Sequence, residues 1–138
     1  MMSREQKKIK AKFIELMCSP LHCFPLARVR LNAPTQKGVY VIYSPRLKVL
    51  HVGGTPRGRR GIHQRLANHL HGQSSFTNKS EYLKRHGSKL RERCKYLREH
   101  CKYRYLVIEE DHRLRALLES YAIGLLCPDH IGLGQVVP

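Results

Sequence analysis

Residues 38–70 read GVYVIYSPRLKVLHVGGTPRGRRGIHQRLANHL. Two runs rich in β-branched and aromatic residues, GVYVIY (38–43) and KVLHV (48–52), flank SPRL, where Pro45 suits the second position of a type I turn. The pattern predicts a β-hairpin. A turn centred on Pro45 and Arg46 pairs Tyr43 with Lys48 and Tyr40 with His51, and cross-strand partners share a face with Cβ atoms roughly 5 Å apart. Tyr40 and His51 are therefore expected to be direct neighbours. The segment GGTPRGRRG (53–61) then sets glycines among Arg57, Arg59 and Arg60. Glycine lets backbone N–H groups approach a phosphate closely, and the arginines add charge. These three arginines, with Lys48 beside the hairpin turn, are the candidate nucleic-acid contacts. The segment matches neither a Walker nor a dinucleotide fingerprint.

Outward from the hairpin, Ile62, Leu66 and Leu70 recur every four positions and predict a helix over 60–71, with Arg65 and His69 paired beside its apolar stripe. Upstream, Ser3 and Gln6 form a capping box ahead of Ile9, Phe13, Leu16 and Met17, so residues 3–17 read as an amphipathic helix ending before Pro20. Residues 18–37 hold Pro20, Pro25 and Pro34 without a sustained period and read as a connecting loop. Downstream, HGQSSFTN (71–78) reads as a polar loop, and 79–100 as helical with an interruption near Gly87. KYRYLVIEE (102–110) reads as a third strand. Leu114, Leu117, Leu118, Tyr121, Ala122, Leu125 and Leu126 trace a helix that stops at Pro128 and lines the core.

The chain of 138 residues suits one domain. It divides into an N-terminal helix and loop (1–35) packed on a core unit (36–138). Its 26 Lys and Arg against 10 Asp and Glu leave a formal charge of +16. Such a chain calls for an anionic partner, and phosphate polymers are the commonest. The charge is spread along the chain rather than gathered in one cluster, which favours nucleic acid over a membrane surface. No apolar run approaches the roughly 18 residues of a bilayer span, and MMSREQKKIKAKF has no apolar segment after it, so a soluble, intracellular protein is expected. Five cysteines without C-x2-C spacing argue for reduced thiols in structural, buried positions rather than a zinc site.

GVY (38–40), HVG (51–53), GIHQRLANH (61–69) and LLESYAIGLLCP (117–128), in this order, resemble the GIY-YIG nuclease family over about residues 36–130. The resemblance implies an α+β fold, a small three-stranded antiparallel sheet flanked by helices. It also implies metal-dependent phosphodiester hydrolysis that leaves a 5′ phosphate. Tyr40 is similar to the first-strand tyrosine assigned as general base. Where the family carries a second tyrosine this chain has His51, which titrates near neutrality and is chemically the readier proton acceptor. Arg65 matches the helix arginine, whose guanidinium forks onto two phosphate oxygens. His69 matches a histidine placed to contact phosphate or donate a proton. Glu119 matches the glutamate that binds a single Mg2+ (or Mn2+), although a surface ion pair with Arg115 would also account for it. Ile131 stands where the family often has asparagine, with His130 the nearest polar residue.

The reading is a GIY-YIG-type endonuclease, a hydrolase acting on DNA by a single-metal mechanism, with RNA and an oligomer or partner chain left open. The alternative is a nucleic-acid-binding module on the same scaffold, its catalysis eroded at His51 and Ile131.

Overall fold

In the computed structural model, which describes residues 1–55 and 60–132, the hairpin is present as β2 (Gly38–Tyr43) and β3 (Val49–Gly54). Ser44 N donates to Lys48 O at 2.9 Å and Leu47 N to Ser44 O at 2.9 Å, while Leu47 sits at φ 66°. The connection is thus a tight turn followed by a left-handed residue, which lengthens the loop by one. Beyond it the register slips again between Ile42 and Tyr43 at a β-bulge. Tyr43 faces Val49, Ile42 faces His51 and Tyr40 faces Gly53, so the expected direct pairing of Tyr40 with His51 is not made. The bulge nevertheless puts His51 on the face that carries Tyr40 and Ile42, one step along the sheet. A bulge re-aims a side chain in this way by seating two residues against one on the partner strand.

The sheet has four strands in the order β1-β4-β2-β3, all pairs antiparallel, rather than three. The additional strand, β1 (His22–Cys23), lies in the segment expected to be a loop. It pairs with Lys102 and Tyr103 of β4 (Lys102–Val107), and the His22 ring stacks 5.2 Å from that of Tyr103. Two residues are too few to leave a period in the sequence. Between the hairpin and β4 come α2 (Gly61–Leu70), α3 (Ser75–Lys79), α4 (Glu81–His86) and α5 (Leu90–His100). Residues 75–79, expected as polar loop, form a helical turn because Ser74 Oγ accepts from Thr77 N and Phe76 is drawn into the core. The chain begins with α1 (Arg4–Cys18), opened by the Ser3–Gln6 capping box, and its last helix is α6 (His112–Leu126), capped by Asp111. Among the described residues no helix is long and apolar enough to cross a membrane.

Alternation along β2 builds two cores. Val39, Val41 and Tyr43 point to one face, where Ile9 and Leu16 of α1 and Leu114, Leu118 and Ala122 of α6 cover them. Tyr40 and Ile42 point to the other, against Ile62, Leu66 and Leu70 of α2, Phe76 and Leu97. Each fully buried aliphatic side chain contributes about 1.5–3 kcal/mol relative to exposure. The N-terminal helix is thus an integral layer of the fold. The cysteines depart from the expectation of burial: all five are free thiols, but Cys18, Cys23 and Cys127 are exposed, Cys94 is half-buried and only Cys101 is buried.

Candidate active site

β3 is an edge strand, and its end is Gly53–Gly54. The two glycines open onto opposite faces of the sheet. A Cβ at Gly53 would overlap the ring and hydroxyl of Tyr40, and a Cβ at Gly54 would overlap Oε1 of Glu119 and lie 3.0 Å from its Cδ. Glu119 belongs to α6, which packs on the face opposite Tyr40, yet its carboxylate comes to the bare strand edge. A phenol from one layer and a carboxylate from the other therefore line the same cavity of about 420 Å³, together with His51, Arg65, His69 and His130.

Tyr40 is buried, and its hydroxyl lies 2.7 Å from Nε2 of His69. The other ring nitrogen of His69 lies 2.6 Å from Oγ of Ser74. One arrangement of protons satisfies every group. Nδ1–H donates to Ser74, which donates to Thr77 Oγ1, which donates to Ser74 O, and Nε2 keeps its lone pair for the Tyr40 hydroxyl. Reversing the imidazole loses the Thr77 bond to the Ser74 carbonyl. Burial pushes the Tyr40 phenol well above the usual tyrosine range, with the positive charge of Arg65 opposing and Glu119 reinforcing. Burial, then His51, Arg65 and His130, holds His69 well below the usual histidine range. Both groups are neutral at pH 7, so the pair is a hydrogen-bonded relay rather than a phenolate beside an imidazolium.

His51 is buried with its ring stacked 5.0 Å from Phe76 and 6.1 Å from the Tyr40 ring. Its Nδ1 is buried with no hydrogen-bond partner, and burial followed by the charge of His130 pushes its pKa down to about 4. The Tyr40 hydroxyl thus meets His69 and not His51. His130 enters because the chain beyond α6 runs back along β3, with Asp129 N donating to Val49 O at 3.1 Å and His130 N to Leu50 O at 2.9 Å. That contact joins the bulge. Its Nε2 reaches Ser75 Oγ at 3.3 Å, whereas Ile131 is exposed.

Arg65 and Asn68 of α2 complete the wall of the cavity. Arg115 is buried and gives its guanidinium to the carbonyls of Ile108 and Glu109 and to Nδ1 of His112. Glu109 accepts from Lys37 N at 2.7 Å, and Asp111 accepts from Leu114 N at 3.0 Å. Those carboxylates are tied to the backbone. Of the candidate nucleic-acid contacts, Lys48 lies at the hairpin tip in an ion pair with Asp129 at 3.2 Å, and Arg60 lines a different groove. Arg57 and Arg59 lie outside the described residues. Ser74 and Thr77, which orient His69, carry little signal in the sequence beyond the preference of serine for a helix N-cap.

Among the described residues no group of three or more His, Cys, Asp or Glu side chains gathers as a metal cage. A divalent ion here would take Glu119 as its protein ligand, with waters and phosphate oxygens completing the shell. Mg2+ accepts a site of that kind, and the missing side chain at Gly54 is what lets the Glu119 carboxylate reach the strand edge. No model of a known protein family matches the chain, and no curated protein matches it.

Proposed function

We propose that the chain is a divalent-metal-dependent endonuclease of GIY-YIG type that hydrolyses phosphodiester bonds in DNA. The observation that carries the proposal is the convergence of Tyr40, Arg65, His69 and Glu119, from three different elements, on one cavity at a glycine-bared strand edge. The net charge of +16 supplies the attraction for a polyanion.

In this reading Arg65 grips two non-bridging phosphate oxygens and stabilises the charge that grows on them. The attacking water gives a proton to the Tyr40 oxygen as the Tyr40 hydroxyl proton passes to Nε2 of His69, so no phenolate accumulates. The water oxygen bonds to phosphorus and the bond to the 3′ oxygen breaks, leaving a 5′ phosphate and a 3′ oxygen that takes a proton from solvent to become the 3′ hydroxyl, while the proton held on His69 is released to solvent. The incoming phosphate raises the basicity of His69 at that moment, since a nearby negative charge favours imidazolium. Ser74 fixes the ring. Glu119 would hold Mg2+ (or Mn2+), which when bound neutralises charge on the leaving oxygen. Incubation of purified protein with duplex DNA and Mg2+ tests this, with turnover lost in Glu119→Ala. A protein that binds DNA and never cuts it would instead be the binding module, a reading favoured by the buried His51, whose Nδ1 has no hydrogen-bond partner, and by the exposed Ile131.

A further inference from the structure

Helix α2 separates two cavities. Arg65, Asn68 and His69 line the one described above, while His63, Ala67, Leu70 and His71 line a second of about 340 Å³ on its opposite flank. At 3.6 residues per turn these two sets point away from each other across the helix axis. The second cavity is walled by Arg28, Arg30, Arg60, His63 and Arg98, and no acidic residue lines it among the described residues. Arg28 is held there at φ 71°, a backbone conformation that non-glycine residues rarely adopt. The Nδ1 of His63 is buried and has no hydrogen-bond partner, and Arg60 and Arg30 act on the ring electrostatically. A pocket of concentrated positive charge with an unanswered ring nitrogen is a site for phosphate oxygens. Arg98 donates to Leu70 O at 3.1 Å and braces the helix end.

Resting on the nuclease reading, we infer that the substrate is B-form duplex DNA straddling α2: one strand enters the Tyr40–Glu119 cavity, and phosphates of the complementary strand seat on Arg30, Arg60 and His63. The helix lies in the major groove between them. An α-helix with its side chains is about 10–12 Å across and the major groove about 12 Å wide, so the spacing of the flanks matches the spacing of the strands. The crest of α2 between the flanks carries Gln64, which is exposed, and Asn68, half-buried one turn on. Amide side chains of this kind bond to base edges in the major groove. The A-form groove of duplex RNA is too deep and narrow to admit the helix, and a single strand has no second row of phosphates.

The test measures binding without turnover, in EDTA, by fluorescence anisotropy against a 20-bp DNA duplex, one of its strands, and an RNA duplex of the same sequence. The DNA duplex binds tightest. Arg30→Gln/Arg60→Gln lowers the slope of log affinity against log salt on the DNA duplex by about 1.8, at roughly 0.9 per phosphate contact, and leaves the single-strand slope unchanged. Lys7→Gln/Lys10→Gln on α1, a charge-matched control on exposed residues, moves neither slope. Equal affinity for RNA and DNA duplexes overturns the inference, and so does a slope loss shared by the single strand or by the control. Absence of binding to all three probes overturns it together with the nuclease reading. Groove-dependent binding without Mg2+-dependent cleavage removes the nuclease reading alone.

Discussion

Replacing Gly54 with alanine separates the stability of the fold from the position of its carboxylate. The backbone at Gly54 is ordinary strand, and alanine is favoured over glycine there by roughly 0.5–1 kcal/mol because less chain entropy is lost on folding. The atoms that the new methyl would strike are Oε1 and Cδ of Glu119. Those are the far end of a flexible side chain, so the collision is relieved by moving the carboxylate rather than the backbone. Restoring ordinary contact requires a shift on the order of 1 Å, and misplacement of that size costs roughly 10²-fold in rate. The expected result is a Tm equal to or above that of the parent, unchanged DNA affinity in EDTA, and Mg2+-dependent cleavage of supercoiled plasmid slowed about 100-fold. Parental cleavage rates in a folded Gly54→Ala protein would refute the argument that the carboxylate acts from that edge. Loss of folding would refute the claim that the carboxylate moves rather than the backbone.

Glu119→Ala is expected to abolish cleavage while changing DNA affinity in EDTA less than about twofold; concurrent loss of binding in a folded variant would argue against the metal role. Tyr40→Phe leaves His69 Nε2 buried without its partner at 2.7 Å, so denaturant titration should show a loss of about 1–3 kcal/mol together with a large loss of cleavage. Ser74→Ala should slow cleavage by a smaller factor than His69→Gln does, since it removes only the group that orients the ring. A His51 pKa of about 4 in the fold against about 6.5 in the unfolded chain means that the unfolded state binds more protons as pH falls. Stability from this group is therefore intact above pH 6.5 and lost downward from there. Between pH 6.5 and 5 the loss is on the order of 2 kcal/mol, read as a falling midpoint in urea. His51→Gln should flatten that dependence, and an equally steep fall in the variant would remove His51 as its cause.

The hairpin, the arginine-bearing helix and the last helix were legible because each carries a period or a turn residue long enough to read: Pro45 in the turn, Ile62-Leu66-Leu70, and the leucine pattern from Leu114. The register was not. It depends on Leu47 adopting a left-handed conformation and on a bulge at Ile42/Tyr43, and neither residue type announces those. The short strand at His22–Cys23 is made by pairing with Lys102 and Tyr103, a tertiary contact that leaves no local trace. Within the cavity, Tyr40, His51, Arg65, His69 and Glu119 could be named from the resemblance, but the Tyr40–His69–Ser74 relay could not. It arises where α3 caps itself, in eight residues that look like a polar loop.

The most direct measurement is single-turnover cleavage of duplex DNA by purified protein, with and without Mg2+, alongside Glu119→Ala and Tyr40→Phe purified identically. The account predicts Mg2+-dependent cleavage leaving 5′ phosphate ends in the parent, and none above background in either variant. Equal cleavage in all three, or none in the parent on any DNA duplex, would contradict it.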